Sequence, residues 1–382
     1  MAELNGNDTQ EQLTVRHRSR IEQIRIFFRK FLRMFVYQSD WKMLPMAALI
    51  AGLVAFVLRR RFGRDMEGTL MAAFAIVCVC IWNGSFNSIQ VICRERDVIK
   101  REHRSGMHIT SYIMAHMMYQ LILCALQTVV TLVVLAQMGM SFPGEGLFTP
   151  WLYVDAGITI LLITYASDLL SLWISSLVHT TTTAMTIMPF VLIFQLLFSG
   201  CLFPLPQGVT PIRKLTVSSP GIKAMASQAK VNDLPYSSVT DMMNIVDDVE
   251  LGGYVTVGQV LDTLGETENQ TVAELRAVSV GEDTAGTNFG EVVDLVAEDP
   301  AVQSLREEGI TVTTTLGGLM DLAGREETKE RIEKKASEAL YEPDYAFTRE
   351  NILKNWLHLA VFVGVFALLS ILTLEFIDKD KR

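Results

Sequence analysis

The 382-residue chain has no G-x-x-x-x-G-K-[ST] run, so the glycine-rich cradle and lysine of that mode of nucleotide binding are missing. It also lacks HExxH and GxSxG. Its six histidines (His17, His103, His108, His116, His179 and His358) are scattered, which removes those zinc-hydrolase and serine-nucleophile signatures. Cysteine is scarce: Cys78, Cys80, Cys93, Cys124 and Cys201 lie in or beside apolar stretches, without CxxC or Cys/His spacing. They read as small apolar packing residues, and neither a metal site nor a catalytic residue is expected. The first twenty residues are polar and offer no cleavable signal peptide.

What is present is apolar. Half of the residues are hydrophobic, as expected of a membrane protein with a soluble portion. The net charge of −9 is unevenly spread. Residues 205–350 hold 12 Lys+Arg against 26 Asp+Glu, a net −14, while the rest of the chain is +5. No basic surface suited to nucleic acid follows from that distribution.

The organisation reads as a disordered polar tail over 1–15, then an amphipathic helix within 16–42. In that helix Ile21, Ile24, Phe28, Phe31 and Phe35 form one face and Arg25, Arg29 and Arg33 the other, which suits the membrane–water boundary. Six apolar segments follow, near 44–58, 68–93, 109–136, 148–178, 184–203 and 354–377. The first is short, so either Arg59, Arg60 and Arg61 snorkel or the span begins nearer Trp41. Five spans thus occupy 43–204, and the sixth, with a short tail, occupies 351–382. Between them, 205–350 reads as a re-entrant segment and an acidic, α-rich domain. Short capped helices are expected over 256–262, 288–294 and 315–321, a strand near 310–314, and a charged helix over 326–340. Basic residues number sixteen in the 16–42 arm, the 94–104 stretch and the C-terminal tail, against four in the short connections on the other side. That bias places both termini in the cytoplasm and 205–350 outside the cell, in the plasma membrane.

Between the second and third apolar segments the signs mix: Arg94, Glu95, Arg96, Lys100, Arg101, Glu102, then Ser105-Gly106. Charges at helical spacing suit a short amphipathic helix lying along the membrane surface and pressing on a protein partner. The run Arg94-Glu95-Arg96, Lys100-Arg101-Glu102, Ser105-Gly106 and Ser111-Tyr112 resembles the pattern after the second span in permeases of G-subfamily ABC exporters (the type V exporter fold) and their bacterial relatives. A second stretch, Leu197 to Pro204 followed by Ser218 to Met225, is similar to that family's fifth-span end and re-entrant turn. The resemblance implies an all-α, six-span permease half with an inserted extracellular domain. It also implies a second permease copy as partner, in a homodimer or a heterodimer, and an ABC-type ATPase that binds ATP and Mg²⁺ in place of this chain. In such a protein Arg94, Glu95, Arg96, Arg101, Glu102 and Gly106 would couple to the ATPase. Asn83, Phe86 and Asn87 on the second span, with Phe194, Phe198, Cys201 and Leu202 on the fifth, would line the path of an exported hydrophobic or amphiphilic substrate: a lipid, glycolipid, drug or peptide.

Polar residues inside the spans need a reason. Tyr112, His116, Gln120 and Gln127 share one helical face, and Asp168 lies far from either end of its span. They either glue helices together or line a wet path, and Asp168 either accepts hydrogen bonds from nearby Ser or Thr or binds a proton. Asp155, nearer a boundary, is expected to be partly hydrated. A rival reading from another class is a membrane-anchored sensor or adhesion protein working through its acidic ectodomain.

Overall fold

Helix is the regular structure of the described residues, which are 19–37, 40–140, 142, 144–201, 210–237, 241 and 325–375 of the computed structural model. The chain divides into two compact units. One comprises Met1–Arg59, Ala72–Gln228 and Phe347–Arg382, the other Arg60–Met71 and Ala229–Ala346. Residues 1–18, 202–209 and 242–324 lie outside the described part, and with them the expected tail, three short capped helices and strand.

In the larger unit the helices are α1 (Arg20–Tyr37), α2 (Met43–Leu58), α3 (from Met66, in the smaller unit, to Ser88), α4 (Val91–Arg104) and α5 (Ile109–Gln137). Next come α6 (Leu152–Leu177), α7 (Thr181–Leu197) and α8 (Ser218–Gln228). Helix α10 (Arg349–Glu375) also belongs to this unit, whereas α9 (Arg325–Leu340) belongs to the smaller one.

Helix α6 is the axis of the larger unit and packs on α4, α5, α7, α8 and α10. Its sequence explains this: Ala156, Ala166, Ser167, Ser171 and Ser175 keep it slim, so neighbours approach on several sides. The tightest approach is to α3. A side chain at Gly84 would collide with the carbonyl oxygen of Thr164 and lie 2.9 Å from the backbone nitrogen of Asp168, so only glycine fits there. On the far side of α5, α2 docks through Ala47, Ala51 and Ala55, one turn apart and all buried, while Leu49, Leu53 and Phe56 on its other faces stay exposed. That is the pattern of small residues inward and large apolar residues toward lipid. Helix α8 is buried except at half-buried Lys223, and its N-terminus is capped from α7, where Gln195 Oε1 accepts from the backbone N–H of Val217 (2.8 Å) and Ser218 (3.3 Å).

Among the described residues, five stretches are long and apolar enough to cross a membrane: Asp40–Leu58, Met66–Arg104, Ile109–Gln137, Leu152–Leu177 and Arg349–Glu375. The first begins at Asp40 because a 3₁₀ turn, Asp40–Lys42, leads into α2, which lengthens the segment that looked short. The expected fifth span is shorter than the rest. Helix α7 has 17 residues. At 1.5 Å per residue it is about 26 Å long, under the roughly 30 Å hydrocarbon core. It stops because Phe198 leaves helical geometry and Gly200 turns into the left-handed region at φ +77°.

Two departures from the sequence reading concern burial. In α1 the residues turned into the protein include Gln23 and Phe31, whereas Ile21 is 79% exposed. The apolar face is therefore split, one part on α5 and the other left open. Asp155 is fully buried rather than hydrated: its carboxylate accepts from Phe148 N (3.0 Å) and Thr149 Oγ1 (2.9 Å) at the entry to α6.

In the smaller unit the start of α3 is tied to the chain on either side of the acidic block. Asp65 Oδ2 caps the helix by accepting from Gly68 N (2.9 Å), and Glu67 Oε2 accepts from Ser237 N and Oγ (2.9 and 3.0 Å). Asn232 and Tyr236 donate to the carbonyls of Glu342 and Leu340. The charged helix expected over 326–340 is α9.

Candidate functional site

Only Ile89 and Gln90 separate α3 from α4, so the charged segment follows an apolar helix almost without interruption. Its sequence decides which charges face where. Ile92, Cys93, Arg96 and Ile99 recur at three- and four-residue intervals and are buried, with Glu95 and Glu102 beside them. Arg94, Asp97, Arg101 and Arg104 fall on the opposite stripe and are exposed.

The inward charges have partners inside the protein. Lys30 of α1 lies between Glu95 (3.8 Å) and Glu102 (3.7 Å), and Tyr112 donates to Glu95 (3.3 Å). Phe27 and Phe31 meet the Tyr112 ring edge-on. The Arg96 guanidinium donates from Nη1 to the carbonyls of Ser176 (2.9 Å) and Val178 (3.2 Å), where α6 ends. In return Ser175 Oγ accepts from Ile92 N (3.1 Å) and Cys93 N (3.3 Å), where α4 begins. Each helix thus caps the other's open end, an acceptor at the N-terminus and a cation at the C-terminus.

Gly106 closes α4. Its φ is +98°, its N–H reaches His103 O (3.0 Å), and the N–H of Met107 reaches Glu102 O (3.1 Å). This paired closure requires a left-handed residue at that position. Gln23 locks the turn to α1, donating to Gly106 O (3.4 Å) and accepting from His108 N (3.0 Å).

A second polar cluster lies among α3, α5 and α6. The amides of Asn87 and Gln127 bond reciprocally (2.9 and 3.0 Å), and Gln120 donates to Ser88 Oγ (2.9 Å). Ser88 in turn donates to Asp168 Oδ1 (2.7 Å), and His116 Nε2 lies 3.5 Å from the Gln120 amide nitrogen. All of these side chains are buried. These bonds link α3, α5 and α6, with Asp168 bonded to a serine, while His116 Nδ1, Gln120 Oε1 and Asp168 Oδ2 are buried without a hydrogen-bond partner. Beside it a cavity of about 80 Å³ is lined by Phe31, Asp40, Phe86, Asn87, Arg94 and His116, among others.

The residues expected along a substrate path are placed unevenly. Asn83 and Asn87 are buried, the latter against Gln127. Phe86 is half-buried and stacks on Trp82 at 5.7 Å. On α7, Phe194 is 38% exposed and its ring lies 4.8 Å from that of Phe198. Cys201 is half-buried, and Leu202 lies outside the described residues.

Sequence reasoning missed Gln23, Lys30, Ser88 and Ser175. A serine or glutamine in an apolar helix is a visible signal, but its partner comes from another helix and cannot be read from spacing.

Five membrane-capable helices, a slim axial helix and a charged helix set between two apolar ones define a polytopic membrane protein with a built-in polar face. The model of the ABC-2 type transporter family matches residues 22–218, a little over half of the chain, and the chain belongs to that family. Such domains are the membrane-spanning permease components of ABC transporters. No curated protein matches the chain.

Proposed function

We propose that this chain is the permease half of an ATP-driven exporter of the G-subfamily kind, working as a dimer and moving a hydrophobic or amphiphilic compound outward. ATP and its Mg²⁺ belong to a cytoplasmic ABC-type ATPase subunit or domain, which docks on the outer stripe of α4. Both termini lie in the cytoplasm and residues 205–350 outside, with α7 as a short sixth membrane segment. Accessible aromatics on α3 and α7, namely Phe86, Phe194 and Phe198, line the path.

One observation carries this reading: within an ABC-2 domain, α4 splits its charges, Glu95, Arg96 and Glu102 turned toward α1 and α6, and Arg94, Asp97, Arg101 and Arg104 exposed on the other side. A loop that only joined two spans has no need of Arg94, Asp97, Arg101 and Arg104 in register. ATPase closure pushes this stripe and biases a two-state bundle from one end.

The test is charge reversal on the outer stripe. Arg101→Glu is expected to abolish transport and the binding of the ATPase while leaving the unfolding midpoint of the purified permease unchanged. Wild-type transport in Arg101→Glu would remove the coupling role.

A further inference from the structure

Three residues, 178–180, join α6 to α7, and this elbow is where α4 takes hold. Arg96 is 9% exposed and donates to two carbonyls at the elbow, Ser176 O and Val178 O. Immediately beyond, Thr180 caps α7, accepting from Thr183 N at 3.2 Å. Ser175, the last-turn serine of α6, holds the second and third amides of α4, those of Ile92 and Cys93. The contacts therefore run in both directions across one joint.

Helix α1 offers a competing route, because Gln23 bonds the turn that follows α4 and Lys30 touches α4 itself. Its side chain is 34% exposed, and at 3.7 to 3.8 Å from its two carboxylates it is a loose, partly solvated link. The Arg96 bonds are buried, charge-assisted and at hydrogen-bond length. Of the contacts made by the body of α4, the Arg96 grip is thus the shorter and the more buried.

We propose that Arg96 is a positioning residue that transmits displacement of α4 to α7 by gripping the α6–α7 elbow, with Ser175 completing the grip. This rests on the exporter reading and adds to it the joint through which the stroke travels. Helix α7 carries Phe194 and ends at Phe198, whose ring lies against it, so the grip connects the ATPase-facing stripe to the aromatic pair of the substrate path. The buried half of the charged segment is thereby explained by transmission, and the exposed half by docking.

The experiment uses the full chain in complex with its ATPase, with Cys78 and Cys201 replaced by serine; the other three cysteines are buried. A bimane fluorophore is placed at the end of α4 through Ser105→Cys or on α7 through Phe190→Cys, both exposed positions. In the parent protein, ATP with vanadate is expected to change the emission of both. In Arg96→Gln the α4 signal should persist and the α7 signal should fall to background, and Arg96→Lys should restore part of it, since an ammonium reaches one carbonyl. Should Arg96→Gln fail to fold, Ser175→Ala tests the other half of the grip by the same two signals. An α7 response of parental size in Arg96→Gln or, in its place, Ser175→Ala would overturn the proposal. Absence of any α4 response in the parent would instead strike the exporter reading, and the proposal with it.

Discussion

Gly106 shows how much a single residue decides. A left-handed conformation costs an L-residue roughly 1–2 kcal/mol, and the closing bonds of α4 depend on it. Gly106→Ala is therefore expected to lower the unfolding free energy by about that amount, with Gly106→Asn milder, as thermal unfolding of the purified permease will show. Glu95 sits between Lys30 and Tyr112, so Glu95→Lys places two ammonium groups together and removes an acceptor. The expected result is a modest loss of stability, about 1 kcal/mol for a partly exposed pair, and faster tryptic cutting at Arg25, Arg29 and Lys30 as α1 loosens. Unchanged digestion would show that this pair does not hold α1. Glu95 and Arg101 looked alike in sequence, yet reversal of the first disturbs the interior and reversal of the second only the surface. Consecutive helical residues are about 100° apart, and which of Arg94, Glu95 and Arg96 turns inward is set by α6, far away in the chain. Spacing reveals a charged helix; its sidedness needs the neighbour.

At the scale of elements, the membrane-capable helices were legible because long apolar runs leave few alternatives. Boundaries came out close: 68–93 became Met66–Ser88, and 109–136 became Ile109–Gln137. The fifth segment was overread because Phe198 and Cys201 are as apolar as the helix they follow, while a left-handed glycine ends it. Helix α1 was recognised, but its contact with α5 was not, since Phe31 packs there and Gln23 is buried for its hydrogen bonds and not for its hydropathy. The approach of α3 to α6 at Gly84 was invisible, as nothing in the sequence marks which glycine another backbone will touch. Gly84→Leu is expected to force these helices apart at a cost of about 1–3 kcal/mol or more, whereas Gly364→Leu, with nothing within 4 Å of its added carbon, should be near neutral. Equal effects at the two glycines, measured as unfolding midpoints, would contradict the packing described. For the reciprocal amide pair, Asn87→Leu should cost about 0.6 kcal/mol and at most about 1.7, the range of interhelical hydrogen bonds in bilayers.

For the whole molecule, the larger unit has one polar face exposed by design of its sequence and one slim helix around which the others gather. The exporter account joins these: the stripe on α4 receives a push, the joint at the end of α6 conveys it, and the accessible aromatics of α7 respond. Its central claim is that a protein partner covers the outer stripe of α4. The most direct measurement is photocrosslinking in cells from p-benzoylphenylalanine placed at Arg101, compared with Ile99, which is 1% exposed on the inner face. The account predicts an adduct with an ABC-type ATPase from position 101 and none from position 99. An ATPase that co-purifies with the chain yet leaves position 101 uncrosslinked would contradict it.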